Sequence, residues 1–162
     1  MSGNWCEIIE SVQCLQGNGP PDLMEVVFHL GEKALEMANI EKPRFKMETS
    51  ILNKTALQIF KKMIIAHGGD IDSLTNFDYH KSKYSSKITA EKEGYISSID
   101  TLILGNALVE MGAGRKNISE KIDPTAGFTI HVKIGDFVYK GDDLFTSYCT
   151  NSKKLEFAVK MM

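Results

Sequence analysis

The stretch MGAGRKNISEKIDPTAGFTIHVKIGDFVYKGDDLF, residues 111–145, carries the strongest fold signal in this chain. It begins with the glycine-rich segment Gly112–Arg115 and then alternates short apolar runs with the pairs Gly135-Asp136 and Gly141-Asp142. Glycine and aspartate favour turns, because glycine tolerates positive φ and aspartate accepts hydrogen bonds from nearby backbone amides. Short strands separated by such turns are typical of a small β-rich module.

The composition is that of an ordinary folded protein. Hydrophobic residues make up 43% and charged residues 25% of 162 residues, which suits one domain or two small ones. The formal net charge of −2 gives no electrostatic reason to expect a nucleic-acid or membrane partner. No apolar run approaches the ~20 residues of a membrane span, and no secretory signal is visible, so a cytoplasmic location is expected.

The cysteines do not form a recognisable site. Cys6, Cys14 and Cys149 are odd in number and show no CxxC spacing. We therefore expect reduced thiols, and neither a metal centre nor a catalytic cysteine.

Helical periodicity dominates residues 1–70. The predicted helices, with apolar side chains at i, i+3, i+4 and i+7, cover residues 4–16, 22–38 and 54–67. Residues 41–53 are ambiguous, because Pro43 disfavours helix in the residue before it. These helices have wide apolar faces but no accompanying strand to cover them, so they look like one part of a larger domain.

The pattern changes after a polar, aperiodic segment at residues 71–85. The predicted strands cover residues 87–91, 94–99, 127–132, 137–138 and 144–148, and the predicted helices cover residues 102–111 and 152–161. The sequence thus predicts an α+β fold, with a helical part at residues 1–70, a linker at 71–85 and a small β-rich domain at 86–162.

Several motifs follow one another in the order known from a single enzyme family. They are Gly3-Asn4, Gly17–Leu23 (GNGPPDL), Ala66–Asp70 (AHGGD), Glu93–Ile96 (EGYI), Gly112–Arg115 (GAGR), Lys121–Asp123 (KID) and the two Gly-Asp pairs. In this order the motifs resemble the C-terminal portion of the pyrimidine-nucleoside and thymidine phosphorylases. One departure is His67, which stands where the family usually has glutamine.

The resemblance implies a fold and an activity for the full-length family member. The fold has an all-helical N-terminal domain, a larger α/β domain and a C-terminal α+β domain of barrel-sandwich type. Residues 1–70 would be the helical C-terminal part of the α/β domain, and residues 86–162 the C-terminal domain. The implied enzyme is a homodimeric pentosyltransferase of nucleoside salvage, which uses phosphate to cleave thymidine or uridine into the base and (deoxy)ribose 1-phosphate.

The resemblance also implies that the catalytic groups lie upstream of this region. The family's phosphate-binding segment, of the Lys-His-Ser-Thr-Gly-Gly type, and its base-binding residues have no counterpart in residues 1–162. We therefore expect no catalytic or substrate-binding residue here and no phosphorolysis by the chain alone. An N-terminal fragment encoded upstream is the expected partner.

One candidate site residue follows from the resemblance. In bacterial members a glutamate six residues after the asparagine of the Gly-Asn pair binds a potassium-type cation. Asn4 plus six is Glu10, and a carboxylate suits such a hard cation. The alternative is a solvated glutamate on a helix face. No other cofactor is implied.

Three other interpretations stay open. A phosphate loop at Gly112–Arg115 would have to lead into a helix, but this segment follows one, which favours a tight turn with Arg115 hydrogen-bonded to nearby backbone. The Gly-Asp turns and Lys160 are similar to biotinyl and lipoyl carrier domains, but two residues after Lys160 leave no room for a return strand. The third is a non-catalytic remnant or interaction module with the same β-rich fold.

Overall fold

The computed structural model describes residues 1–74, 76 and 78–162, so Thr75 and Phe77 of the predicted linker lie outside the described residues. The α+β prediction is confirmed. In chain order the elements are β1 (Ser2–Gly3), α1 (Trp5–Leu15), α2 (Pro21–Met37), α3 (Pro43–Leu52), α4 (Thr55–Ala66), a 3₁₀ turn (Ile71–Leu74), β2 (Tyr84–Thr89), β3 (Gly94–Tyr95), α5 (Thr101–Met111), β4 (Gly127–Ile130), β5 (Phe137–Val138), β6 (Asp143–Cys149) and α6 (Ser152–Met161).

The chain divides into two compact units. One joins Met1–Ile8 to Asp78–Met162, and we call it the β-rich unit; the other, Ile9–Phe77, is the helical unit. The first eight residues therefore belong to the β-rich unit, through a long-range pairing that the sequence pattern does not reveal. The domain boundaries drawn from the sequence, at residues 70 and 86, remain a prediction.

The β-rich unit is built on a four-stranded antiparallel sheet with the order β1-β4-β6-β2. A second, two-stranded antiparallel sheet pairs β3 with β5. Helices α5 and α6 contact each other and the larger sheet, α5 through β4 and α6 through β2 and β6. The main core lies between these helices and the sheet and consists of Leu104, Ala107, Met111, Ala126, Phe128, Cys149, Leu155 and Ala158.

Two predicted strands have a bound that differs by three residues or more from the one in the structure. The strand expected at residues 94–99 ends at Tyr95, because its partner β5 begins at Phe137, the residue paired with Tyr95. Helix α5 then follows Asp100, whose carboxylate accepts hydrogen bonds from the amides of Leu102 and Ile103. Strand β2 begins at Tyr84, earlier than expected, since its polar first residues are paired along β6. Pairing with a partner strand decides these bounds, and the partner is not visible in the local sequence.

The helical unit contains the part of α1 that follows Ile8, together with α2, α3 and α4. The ambiguous segment at residues 41–53 forms α3, with Pro43 in the first helical turn, where its missing amide costs nothing. Helix α2 packs on α3, and the Arg44 guanidinium lies 4.3 Å from the centre of the Phe28 ring. Few apolar side chains are buried in the described part of this unit, namely Val12, Leu57 and Leu74.

Candidate functional site

The glycine-rich segment of the opening stretch terminates helix α5. The amides of Gly112 and Ala113 donate to the carbonyls of Val109 (3.0 Å) and Leu108 (2.9 Å), which close the last helical turn. A phosphate cradle needs free amides at a helix N-terminus, and this segment lies at a C-terminus. The tight turn is therefore confirmed. Arg115 is exposed, and the backbone hydrogen bond expected for it is not among those of the described residues.

Asp123 is the best-connected side chain of this region. Its Oδ1 accepts from the amide and hydroxyl of Thr125 (2.9 and 2.8 Å), and its Oδ2 accepts from the amide and hydroxyl of Thr150 (both 2.7 Å). The Asp123 amide also donates to the carbonyl of Gly112 at 2.8 Å. Asp123 thus joins three segments: its backbone amide contacts the end of α5, and its carboxylate contacts the residues just before β4 and just after β6.

These hydrogen bonds favour the ionised carboxylate. Burial by itself raises the pKa of Asp123, but the bonds from Thr150 and Thr125 outweigh that effect, and the pKa lies below its usual value. A carboxylate whose acceptor positions are filled by protein donors has little capacity left for a ligand. Asp123 is therefore a structural anchor.

The N-terminal residues lie against the same region. The Asn4 side-chain amide donates to the carbonyls of Ala113 (3.1 Å) and Asp123 (2.8 Å), and its backbone amide donates to Ala126 (3.0 Å). Gly3 lies so close to Gly127 that any side chain at residue 3 would overlap with that backbone. The Gly3-Asn4 motif and the Lys121–Asp123 motif, more than a hundred residues apart, therefore form one structural site. Sequence reasoning missed this contact, and the only signal for it was that both belong to the same motif series.

A shallow recess of about 400 Å³ opens beside Asn4. Trp5 and His80 line it with their rings edge to face at 5.0 Å, and Tyr79 contacts His80 at 4.8 Å. These rings cover the start of α1.

The two Gly-Asp pairs form equivalent turns. Asp136 accepts from the amide of Lys133, and Asp142 accepts from the amide of Tyr139, both at 2.8 Å. The preceding residues, Gly135 and Gly141, both have a φ of 95°, which favours glycine. The interpretation of these aspartates as turn residues is confirmed.

Glu10 lies in the middle of α1 and is half-buried. The pKa of the Cys14 thiol, one turn further along the helix, is raised mainly by burial and secondly by the charge of Glu10. Within residues 1–74, 76 and 78–162, no group of three or more His, Cys, Asp or Glu side chains could hold a metal ion. The role of Glu10 as a potassium ligand remains a prediction.

The three cysteines are free thiols. Burial is the main cause that raises the pKa of Cys6, Cys14 and Cys149 above the ordinary value. Raised pKa values keep the thiols protonated and weakly nucleophilic, which is the opposite of what a catalytic cysteine needs.

The carrier interpretation is not supported. Lys160 lies in the last turn of α6 and forms an ion pair with Glu156 at 2.7 Å. A carrier lysine is presented at the tip of a hairpin, whereas this one lies on a helix.

Comparisons with known proteins agree with the motif series. Residues 95–162 match the pyrimidine nucleoside phosphorylase C-terminal domain. Pyrimidine-nucleoside phosphorylase of Geobacillus stearothermophilus is 33% identical over 90% of this chain and 35% of its own length. Thymidine phosphorylase of Mycobacterium tuberculosis is 34% identical over 90% of this chain and 33% of its own length. Pyrimidine-nucleoside phosphorylase of Staphylococcus aureus is 32% identical over 99% of this chain and 38% of its own length.

The chain thus spans about a third of the length of the curated relatives it matches. A phosphorylase relationship is favoured over a non-catalytic interaction module, since the similarity extends over nearly the whole chain and both of its units. Together with the domain match, these findings show that residues 95–162 match the family's C-terminal domain and that the chain as a whole is similar to the C-terminal portion of pyrimidine-nucleoside and thymidine phosphorylases.

Proposed function

We propose that these residues are the C-terminal portion of an enzyme that cleaves pyrimidine nucleosides with phosphate, releasing the base and a (deoxy)ribose 1-phosphate. The observation that carries the proposal is the similarity to phosphorylases along 90–99% of the chain. In this reaction phosphate attacks C1′ of the sugar while the base leaves, so catalysis depends on holding phosphate and nucleoside in line.

In the proposed enzyme this portion has a supporting role. The carboxylate of Asp123 in the β-rich unit already accepts four hydrogen bonds from Thr125 and Thr150, which leaves it little capacity to bind a substrate. The glycine-rich segment presents a helix C-terminus, which is unsuited to phosphate. These features support the view that phosphate and nucleoside are bound by another part of the enzyme, and that this chain alone is inactive.

The remaining features of the proposed enzyme follow from its relatives and from composition. We propose a cytoplasmic homodimer that associates with an N-terminal phosphorylase portion and with neither nucleic acid nor membrane, in line with the net charge of −2. Among the described residues, no helix is long and apolar enough to cross a bilayer. Glu10 would contribute one oxygen ligand to a potassium-type cation, with the other ligands supplied from outside this chain.

The test of the proposal is complementation. The purified chain, assayed with phosphate and either thymidine or uridine, should produce no pentose 1-phosphate. A fusion in which this chain replaces the matched C-terminal third of the Geobacillus enzyme should produce it, and the truncated Geobacillus enzyme without the replacement is the control. Pentose 1-phosphate from the chain alone would refute the supporting role. A folded fusion without activity would refute the proposed function.

A further inference from the structure

Helix α2 is apolar on two sides, and α3 covers one of them. On the covered side, Phe28 lies under the Arg44 guanidinium, and Gly31 leaves room for the side chain of Met47. The ion pair between Arg44 and Glu25, at 2.8 Å, joins the same two helices. The packing partner of this side of α2 is therefore established.

The other side of α2 carries a second apolar stripe, which we call the outer stripe. It consists of Val26, Val27, Leu30, Ala34 and Met37. A helix turns by about 100° per residue, so these five positions fall within about 100° of arc and extend over about 17 Å. Their exposure is high, with Leu30 at 64% and Met37 at 86%. An apolar stripe of this length on a helix normally marks a surface that another element covers.

The rest of the helical unit also leaves apolar side chains exposed. Helix α2 has no buried residue along its seventeen positions. Helix α4 leaves Ile59 and Met63, one turn apart, 63% and 48% exposed. A unit of this size needs a larger buried core to be stable by itself. The missing partner must therefore be large enough to meet more than one helix.

Two simpler occupants fit the outer stripe poorly. The exposed charged residues near the stripe on α2 are mostly acidic, with Asp22, Glu25 and Glu36 against one lysine, Lys33, whereas helices that lie on anionic membranes are rich in lysine and arginine on the polar face. If the stripe paired with the same stripe of a second copy, each chain would contribute only these five apolar residues. Stable complexes use about 20–30 residues on each side, so this pairing would be too small.

We propose that the outer stripe of α2 docks the part of a phosphorylase polypeptide that lies N-terminal to the matched third, whether it is covalently joined or separate. This inference rests on the proposed function. The relatives extend over roughly three times the length of this chain, so the occupant is a polypeptide of about twice its size. A partner of that size can bury the stripe and supply the layer that the helices lack.

Co-expression tests the docking without relying on catalysis. The affinity-tagged chain is produced together with the Geobacillus enzyme truncated before its matched third, and the amount of truncated enzyme retained on the resin is measured. The test variant is Leu30→Glu, which places a carboxylate in the stripe and leaves a buried charge in any complex. The matched control is His29→Glu, an exposed neighbour about 100° away around the helix that receives the same charge.

The wild-type chain and His29→Glu should retain the truncated enzyme, and Leu30→Glu should retain at least about tenfold less. Val27→Glu repeats the test at a second position of the stripe. Each variant alone should keep the circular dichroism spectrum and the melting temperature of the wild type, because these positions are exposed in the free chain.

Three results would overturn the inference: no retention by the wild-type chain, equal retention by Leu30→Glu, or self-association of the chain that Leu30→Glu abolishes. In this design, failure of the docking and failure of the proposed function give different results. A complex that is lost in Leu30→Glu but does not cleave thymidine or uridine would leave the docking surface standing and refute the function.

Discussion

At the scale of single residues, Asp123 holds together segments that are far apart in sequence. Its carboxylate joins β4 and β6 through Thr125 and Thr150, and its carbonyl accepts from the side chain of Asn4. Hydrogen bonds to an ionised acceptor are stronger than those between neutral groups. Asp123 therefore contributes more to the fold than its place in a loop suggests.

We expect Asp123→Asn to lower the free energy of unfolding of the β-rich unit by about 1–3 kcal/mol, because the charge-assisted bonds become neutral and one acceptor oxygen becomes a donor. Urea denaturation followed by circular dichroism measures the change. Asp136→Asn, at an exposed turn where the carboxylate accepts from the amide of Lys133, is the control and should cost less. Equal effects at the two positions would contradict the anchoring role.

The same variant should show a defined pH dependence. The pKa of Asp123 is lowered in the folded state, so its ionised form stabilises the fold at pH values above the unfolded pKa, which is about 3.9. This stabilisation is lost as pH falls through the folded pKa. The difference in unfolding free energy between wild type and Asp123→Asn should thus be constant near pH 7 and shrink below about pH 4. A difference that grows on acidification would show that the carboxylate is destabilising when charged.

Gly3 offers a second test at the residue scale. Its φ is +136°, and a side chain there would overlap with the backbone of Gly127. Gly3→Ala should detach β1 from β4, seen as faster hydrogen exchange at the Gly3 amide region and at residues 127–128. Gly135→Ala is the control, since its φ is also positive but no atom lies near the added methyl group, so only about 1–2 kcal/mol of backbone strain is expected. Unchanged exchange in Gly3→Ala would mean that the close approach does not hold β1 in place.

At the scale of elements, the two units differ in how well their helices are buried. In the β-rich unit, α5 and α6 bury Leu104, Met111 and Leu155 against the sheet. In the helical unit, α2 and α3 have no buried residue. Local stability follows buried apolar contact, so the helical unit should open more readily.

Hydrogen exchange read by mass spectrometry should therefore separate the two units in the intact chain. Amides of β6 and α5 should exchange slowly, and amides of α2 should exchange at least about a hundredfold faster, because their opening disrupts little apolar packing. Docking of the N-terminal phosphorylase portion should slow exchange in α2 and leave β6 unchanged. Protection of α2 in the free chain equal to that of β6 would show that the helical unit is stable without a partner.

At the scale of the whole molecule, a phosphorylase portion and a carrier domain differ in their covalent state. A carrier acquires biotin or a lipoyl group on its lysine, whereas Lys160 is paired with Glu156 on a helix. Intact-mass measurement of the chain, produced in cells with biotin and lipoyl ligases, should give the unmodified mass, and avidin should not bind it. A mass increase located at Lys160 would reopen the carrier interpretation.

The sequence by itself determined most of the local structure. Periodicity located α1, α2, α4, α5 and α6 within a residue or two, since a one-sided apolar pattern is a local property of the chain. The Gly-Asp turns were predictable for the same reason, because glycine tolerates the required φ and the aspartate bonds to a backbone amide three residues away. The order of the motifs was enough to indicate the family.

Only the tertiary structure decided which distant segments meet. The contact of Asn4 with Asp123, the pairing of β1 with β4 and the early start of β2 all depend on partners far away in the chain. It also showed that the outer stripe of α2 is left exposed. Such features depend on the relative placement of whole elements, which hydrophobic periodicity and turn chemistry do not encode.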